Sequence, residues 1–394
     1  MIHKLTLRNF KGIESAELGL ERLTVIVGPN ASGKTSVLQA LKLLLGLSNP
    51  YTRRTQLLSM HGGMAALQRR GGTQEPTLLQ ATGEWRSQPG TLQMRLMPAE
   101  LPTIEGQERN DLDVRGTWGN SEFEIPEAPR SALRFLKTKR FDPSKLPLVI
   151  GDWEAHALLR LEARKLAEPS YTKAIEPKID SDGSGLASVL AQMALNRPDD
   201  FHELLSALRS VIPQVVRVRL SLAEVKRQED ETLTINDEDV TRTVVRSYSG
   251  HRILFDLVGA DGIPSQGASE GTLLVLGLLT VLFSTPKPKL VLLDDLDRGL
   301  HPKAQKDLVS QLRKLLERVP ELQIIATSHS PYLVDHLDPK EVRLSTVLPD
   351  GTIRFAELTQ HPDFERWKEV MRPGEFWSTV GESWVGSLKE KPRE

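Results

Sequence analysis

Apolar and polar positions alternate through residues 2–20, with Ile2, Leu5, Leu7 and Phe10 followed by Ile13, Ala16, Leu18 and Leu20. That is the period of a strand, and Asn9-Phe10-Lys11-Gly12 supplies turn chemistry between the two runs, so the pattern predicts an antiparallel hairpin. Leu23-Thr24-Val25-Ile26-Val27 is continuous and rich in β-branched residues, which suits a strand buried on both faces. Val37, Leu38, Leu41, Leu44 and Leu45 then recur at helical spacing. Residues 46–76, with Gly62-Gly63 and Gly71-Gly72, predict a long irregular connection. Alternation returns over 77–125 around Leu79, Trp85, Leu92, Met94 and Leu96, predicting further antiparallel strands. The period turns helical from 131 to 210, as in residues 155–161 and 201–205, and strands are predicted again over 214–259.

The second half holds an apolar helical run at 273–282 and two short apolar strands, 289–293 and 323–327. Near the end, Phe376, Trp377, Val380 and Trp384 sit at helical spacing and predict one helix with an aromatic stripe. Such a stripe must cover something; packing on the chain's own core is the plainer expectation, and docking to a partner is the alternative. No heptad run or internal repeat occurs, so no long coiled coil is expected.

Composition narrows the function classes. The 394 residues carry 51 Lys+Arg against 52 Asp+Glu, a net charge of −1, so no bulk field favours nucleic acid. Two local basic clusters remain as candidates for a phosphate backbone: Arg134, Lys137, Lys139 and Arg140 around Phe135, and Arg217 with Arg219. Solvated faces are the plainer account of both. The absence of cysteine excludes disulfides, Cys-based zinc sites and iron–sulfur clusters. No apolar run approaches the ~20 residues of a membrane span, and no leader-like segment opens the chain, so a cytoplasmic protein is expected.

The chemistry concentrates at Gly28-Pro29-Asn30-Ala31-Ser32-Gly33-Lys34-Thr35, continued by Ser36, which fits G-x-x-x-x-G-K-S/T between a strand and a helix. Glycines there let successive backbone N–H groups turn inward around phosphate oxygens at a helix N-terminus. Lys34 is expected on the β- and γ-phosphates of ATP, and Thr35 on Mg²⁺. The strand at 289–293 ends in Asp294-Asp295: Asp294 would hold the metal shell and Asp295 would polarise water. His329 follows the strand at 323–327 and can bond the γ-phosphate or the attacking water. Ala268-Ser269-Glu270-Gly271-Thr272 puts a hydroxyl at another helix N-terminus. Asp180-Ser181-Asp182-Gly183-Ser184-Gly185 reads either as a metal site or, more plainly, as a glycine-rich turn opening a helix.

In this order the motifs resemble those of the ABC-type ATPases of the SMC/RecF/OLD group, over about 1–45 and 265–340: Phe10-Lys11-Gly12, the Walker A at 28–35, Ser269-Glu270-Gly271-Thr272, the Walker B at 290–295, Asp297-Arg298-Gly299-Leu300-His301-Pro302 and His329. The resemblance implies an α/β P-loop NTPase with an ABC-type head, a mixed, largely parallel core sheet, an N-terminal antiparallel β subdomain and a helical insertion. The expected division is 1–130 as the lobe with Walker A and 131–212 as the helical insertion. Residues 213–345 then form the lobe with signature, Walker B and His329, and 346–394 a hairpin and aromatic tail. It also implies a homodimer or higher even oligomer closed head to tail by ATP, with Ser269 and Gly271 touching the γ-phosphate in trans and Asp297-Arg298 at the seam. A glutamine for the metal is implied too, and Gln56, Gln68, Gln74 and Gln80 are the candidates. The chain departs from the group in carrying Asp295 where glutamate is usual and Leu296 where proline is usual, which implies slow hydrolysis. The short remainder after the core strands is expected to hold no Toprim nuclease. The implied role is therefore an ATPase governing a separately encoded nuclease or toxin, as in anti-phage defence. A RecF-like DNA-binding repair ATPase and a non-hydrolysing ATP-binding scaffold are the alternatives.

Overall fold

The computed structural model describes residues 1–48, 54–69, 75–97, 112–125, 156–235 and 238–388. They fall into two compact units, one within Met1–Leu158, Lys289–Asp297 and Leu316–Glu394, the other within Leu159–Pro288 and Arg298–Leu315.

The first unit contains two sheets. The antiparallel one has the order β2-β1-β4-β5-β6-β7, from β1 (Ile2–Phe10), β2 (Ile13–Gly19), β4 (Thr77–Trp85), β5 (Gln88–Leu96), β6 (Leu112–Trp118) and β7 (Ser121–Glu124). The predicted hairpin forms with Leu5 opposite Leu18, Leu7 opposite Ala16 and Phe10 opposite Ile13, so one face is wholly apolar. The core sheet has the order β15-β14-β3-β13-β12-β8. Its strands β3 (Leu23–Val27), β12 (Leu290–Leu293), β13 (Gln323–Ser328) and β14 (Val342–Val347) run parallel, and β15 (Ile353–Glu357) returns antiparallel at one edge. The buried strands are the continuous apolar runs of the sequence, as a sheet covered on both faces demands.

Helix α1 (Lys34–Ser48) packs against β4 and β5 of the antiparallel sheet and against β13 of the core. It buries Val37, Leu38, Ala40, Leu41, Leu43, Leu44, Leu45 and Leu47, apolar nearly all round because sheets lie on both sides. The connection predicted as irregular over 46–76 differs. Among its described residues it forms α2 (Arg54–Met60) and α3 (Met64–Leu67). Leu67 is fully buried, and its carbonyl accepts the Lys11 N–H, tying the segment to the first hairpin. The glycine pair between the helices hid two elements too short to show a period. Residues 156–159, predicted helical, instead form β8 (His156–Leu159) beside β12. A four-residue apolar run carries no period that separates helix from strand.

In the second unit α4 (Ala163–Ala167), α5 (Leu186–Asn196), α6 (Pro198–Val211), α7 (Glu270–Leu282) and most of α8 (Pro302–Arg318) join a three-stranded sheet of order β11-β10-β9. The turn before α5 is the plainer of the two readings of residues 180–185: the Ser184 N–H bonds the Asp182 carboxylate and α5 opens at Leu186. Strands β9 (Val215–Ile235) and β10 (Glu238–Leu257) form one antiparallel ribbon, far longer than the sequence suggests, and β11 (Ala260–Pro264) closes it. At its base Val218 lies opposite Phe255 and Leu220 opposite Ile253, with Val218, Ile253 and Phe255 buried. Farther out, Arg242 and Arg246 reach Glu231 across the strands at 2.9 and 3.0 Å, and Tyr248 donates to Glu229.

The aromatic tail packs internally, but not as one helix. Helix α11 (Pro373–Val380), which follows the single turn α10 (Phe364–Trp367), stops where the chain turns at Gly381. Trp384 therefore sits on a separate 3₁₀ turn, with its ring 4.9 Å from His361. Phe376 and Trp377 are buried, and α11 lies against α9 (Pro331–Val334). Trp377→Ala is expected to cost about 3–5 kcal/mol, the usual loss for truncating a buried large aromatic. A thermal melt within a degree of wild type would contradict that packing.

Candidate nucleotide site

Parallel pairing brings three strand ends to one edge of the core sheet: Ser328 lies opposite Val27, and Ala326 opposite Leu293. Ligands of α/β sheets bind at such carboxyl edges. From β3 the chain enters the loop 28–33, and α1 begins at Lys34. Gly28 has φ 144°, and a Cβ there would stand 2.2 Å from the Ser345 carbonyl of β14, so only glycine fits. Ser32 donates to the Pro29 carbonyl at 2.8 Å, and its hydroxyl lies 2.6 Å from that of Ser345, which bonds the Val27 carbonyl. Pro29, Asn30 and Ala31 form the exposed rim, while Gly33 and Ser36 are half-buried at the turn into α1.

Lys34 is buried, and its ammonium donates to the Gly28 and Pro29 carbonyls at 2.9 and 2.7 Å. Burial lowers its pKa, against the opposing pull of Asp295, Asp294, Glu382 and Asp297. Thr35 Oγ1 stands 3.1 Å from both carboxylate oxygens of Asp294. A hydroxyl and a carboxylate converging in this way are hard oxygen donors of the kind Mg²⁺ selects, so the residues fit the metal implied by the motif.

Asp295 is half-exposed and adopts a left-handed backbone, φ 58°. Its pKa is raised, first by desolvation and then by the neighbouring Asp294 carboxylate. His329 Nε2 lies 3.9 Å from Asp295 Oδ1, and the His329 N–H bonds Asp297 at 3.2 Å. Thus Lys34, Thr35, Asp294, Asp295 and His329 meet at one sheet edge.

In the second unit Ser269 is the N-cap of α7: its Oγ accepts the Thr272 N–H at 3.2 Å, and the residue remains exposed. Gly271 is buried beneath Gly299, whose carbonyl would lie 2.3 Å from an added Cβ. Arg298 pairs with Glu270 at 2.7 Å, so the signature-like stretch and the start of residues 298–302 are bound together.

Other sequence candidates fall elsewhere or out of view. Gln68 donates its amide to the Met97 carbonyl, and Gln80 stands opposite Thr6 and Gln93 in the antiparallel sheet. Gln56 is on α2, while Gln74 lies outside the described residues, as do Arg134, Lys137, Lys139 and Arg140. Arg219 is paired with Asp256 at 2.6 Å. Among the described residues no helix is long and apolar enough to cross a membrane. Sequence reasoning missed Thr327 and Ser345, whose hydroxyls contact the Walker motifs; each reads in the sequence as one more small residue in a strand. It also missed Glu382, whose charge bears on Lys34.

Fold and site together define an ATPase of the SMC/RecF/OLD type. More than half of the chain, residues 119–335, matches the family described as "AAA domain, putative AbiEii toxin, Type IV TA system", and the chain belongs to that family. Residues 1–88 match the AAA ATPase domain. A stretch of 46 residues is 48% identical to the OLD nuclease of Thermus scotoductus, covering 12% of this chain and only 9% of that nuclease. The DNA replication and repair protein RecF of an Anaeromyxobacter species is 23% identical along an alignment 348 positions long, which covers 79% of this chain and 89% of RecF. Among solved structures, an SMC head bound to the C-winged helix domain of ScpA superposes with a TM-score of 0.57 at 14% identity. It covers 92% of this chain and 99% of that one, a likeness of fold.

Proposed function

We propose that this ATPase hydrolyses ATP slowly and that ATP closes two copies head to tail, the closed pair governing a separately encoded nuclease or toxin in defence against phage. The observation that carries the hydrolytic part is the meeting of Lys34, Thr35, Asp294, Asp295 and His329 at one sheet edge. Loop N–H groups of residues 28–35 and the Lys34 ammonium would hold the phosphates, and Thr35 with Asp294 would hold the metal. When bound, Mg²⁺ supplies charge neutralisation at the β- and γ-phosphate oxygens. Asp295 then takes the proton of the attacking water, and His329, with its Nε2 3.9 Å from Asp295 Oδ1, orients that water.

Dimer closure is supported by the exposed Ser269 at the N-terminus of α7, a hydroxyl and helix end suited to a partner's γ-phosphate. The defence role is supported by the toxin–antitoxin description of the family and by the OLD nuclease match. A non-hydrolysable ATP analogue with Mg²⁺ is expected to double the mass seen by light scattering, and Ser269→Arg to prevent it. A dimer indifferent to both nucleotide and Ser269→Arg would end the head-to-tail reading. Purification together with the products of neighbouring genes tests the effector, and recovery of the ATPase alone from its native operon counts against one.

A further inference from the structure

We propose that Thr327 is the positioning residue that sets both Walker B carboxylates, and that it does so through its hydroxyl. The inference rests on the hydrolytic reading above. Three consecutive residues are tied to this one threonine. Its Oγ1 donates to Asp294 Oδ1 at 2.7 Å and accepts the Asp295 N–H at 2.9 Å. Its carbonyl accepts the Leu296 N–H, also at 2.9 Å. A threonine hydroxyl has one proton and two acceptor sites, so one group serves carboxylate and amide together.

The strand register makes the position specific. Leu293 pairs with Ala326, so the first residues beyond that pair are Asp294 and Thr327. Thr327 is fully buried, which leaves no water to take the place of its hydroxyl. Asp295 adopts a left-handed backbone, and the bond from its N–H to Thr327 is a contact that holds that conformation in place. Asp294 needs the side-chain bond because its two oxygens must face Thr35. Groups that orient a metal ligand from behind carry effects of about 10–100-fold.

The test compares Thr327→Val, Thr327→Ala and Thr327→Ser in the full chain, by binding of a non-hydrolysable ATP analogue across Mg²⁺ concentrations and by turnover. Valine and alanine are expected to raise the Mg²⁺ concentration for half-saturation about 10–100-fold and to lower kcat by a similar factor. Analogue binding without Mg²⁺ should not change, and serine should stay within about threefold of wild type. A threonine that only filled space would give the reverse order, with the isosteric valine nearest wild type, and that result overturns the proposal. Should the valine variant fail to fold, alanine and serine decide: equal Mg²⁺ responses from these two, which differ in the hydroxyl alone, also overturn it. Wild-type protein that binds no analogue would instead bring down the ATPase reading, and this inference with it.

Discussion

Lys34→Ala is expected to abolish measurable ATP binding while leaving the chain folded. The buried Lys34 ammonium donates to the Gly28 and Pro29 carbonyls, which places its charge inside the loop that would wrap the phosphates. A charge-assisted hydrogen bond contributes about 1.5–3 kcal/mol, and a desolvated lysine facing a polyphosphate makes more than one. The expected loss is at least about a hundredfold in affinity, or roughly 3 kcal/mol. Thermal shift separates binding from folding. Wild type should melt higher with ATP present, by mass action on the native state, whereas the variant should melt at one temperature with or without it. An ATP-dependent shift equal to that of wild type would remove Lys34 from the phosphate site.

The next largest effect should come from Asp295→Asn, which keeps the shape of the side chain and removes its basicity. ATP should bind as before, while turnover falls about 10²–10⁴-fold, the usual contribution of a positioned base. The backbone makes this a clean substitution. Asp295 sits at φ 58°, a region that asparagine tolerates as readily as aspartate. Asp295→Glu offers a longer reach but places a less suitable residue in that conformation, so its rate reports reach against backbone strain. Equal turnover for wild type and Asp295→Asn would show that another group takes the proton.

The elements that carry the site were the most legible in the sequence. The strand, glycine loop and helix from Leu23 to Ser48 announce themselves by a continuous apolar run, a fixed motif spacing and a helical period, and Leu290–Leu293 by an uninterrupted apolar run ending in carboxylates. Strands are predicted over 214–259, but not the pairing of Val215–Ile235 with Glu238–Leu257 as one long ribbon. Its pairing rests on backbone bonds and on partners such as Arg242 and Glu231, and its apolar residues, such as Leu233, Val240 and Val244, are too interspersed with charged ones to mark so long a ribbon. The tail misled for a different reason: Trp384 keeps helical spacing from Val380, but Gly381 has already turned the chain. Thr327 and Ser345 gave no signal because a strand hydroxyl acquires meaning only from its neighbour in the sheet, and that neighbour is remote in sequence.

The wall behind the phosphate loop has a thermodynamic consequence. Ser345 bonds Ser32 and fills the space a side chain at Gly28 would need, and Ile353 of β15 fills the space beside Gly33, so the loop has a close support. Ordering a free loop costs about 1–2 kcal/mol of backbone entropy per residue. A loop braced in this way has less of that ordering left to undergo when phosphates bind, which leaves more of the contact energy to appear as affinity. Nucleotide affinity is therefore shared with a hairpin more than three hundred residues downstream of the loop that touches the phosphates.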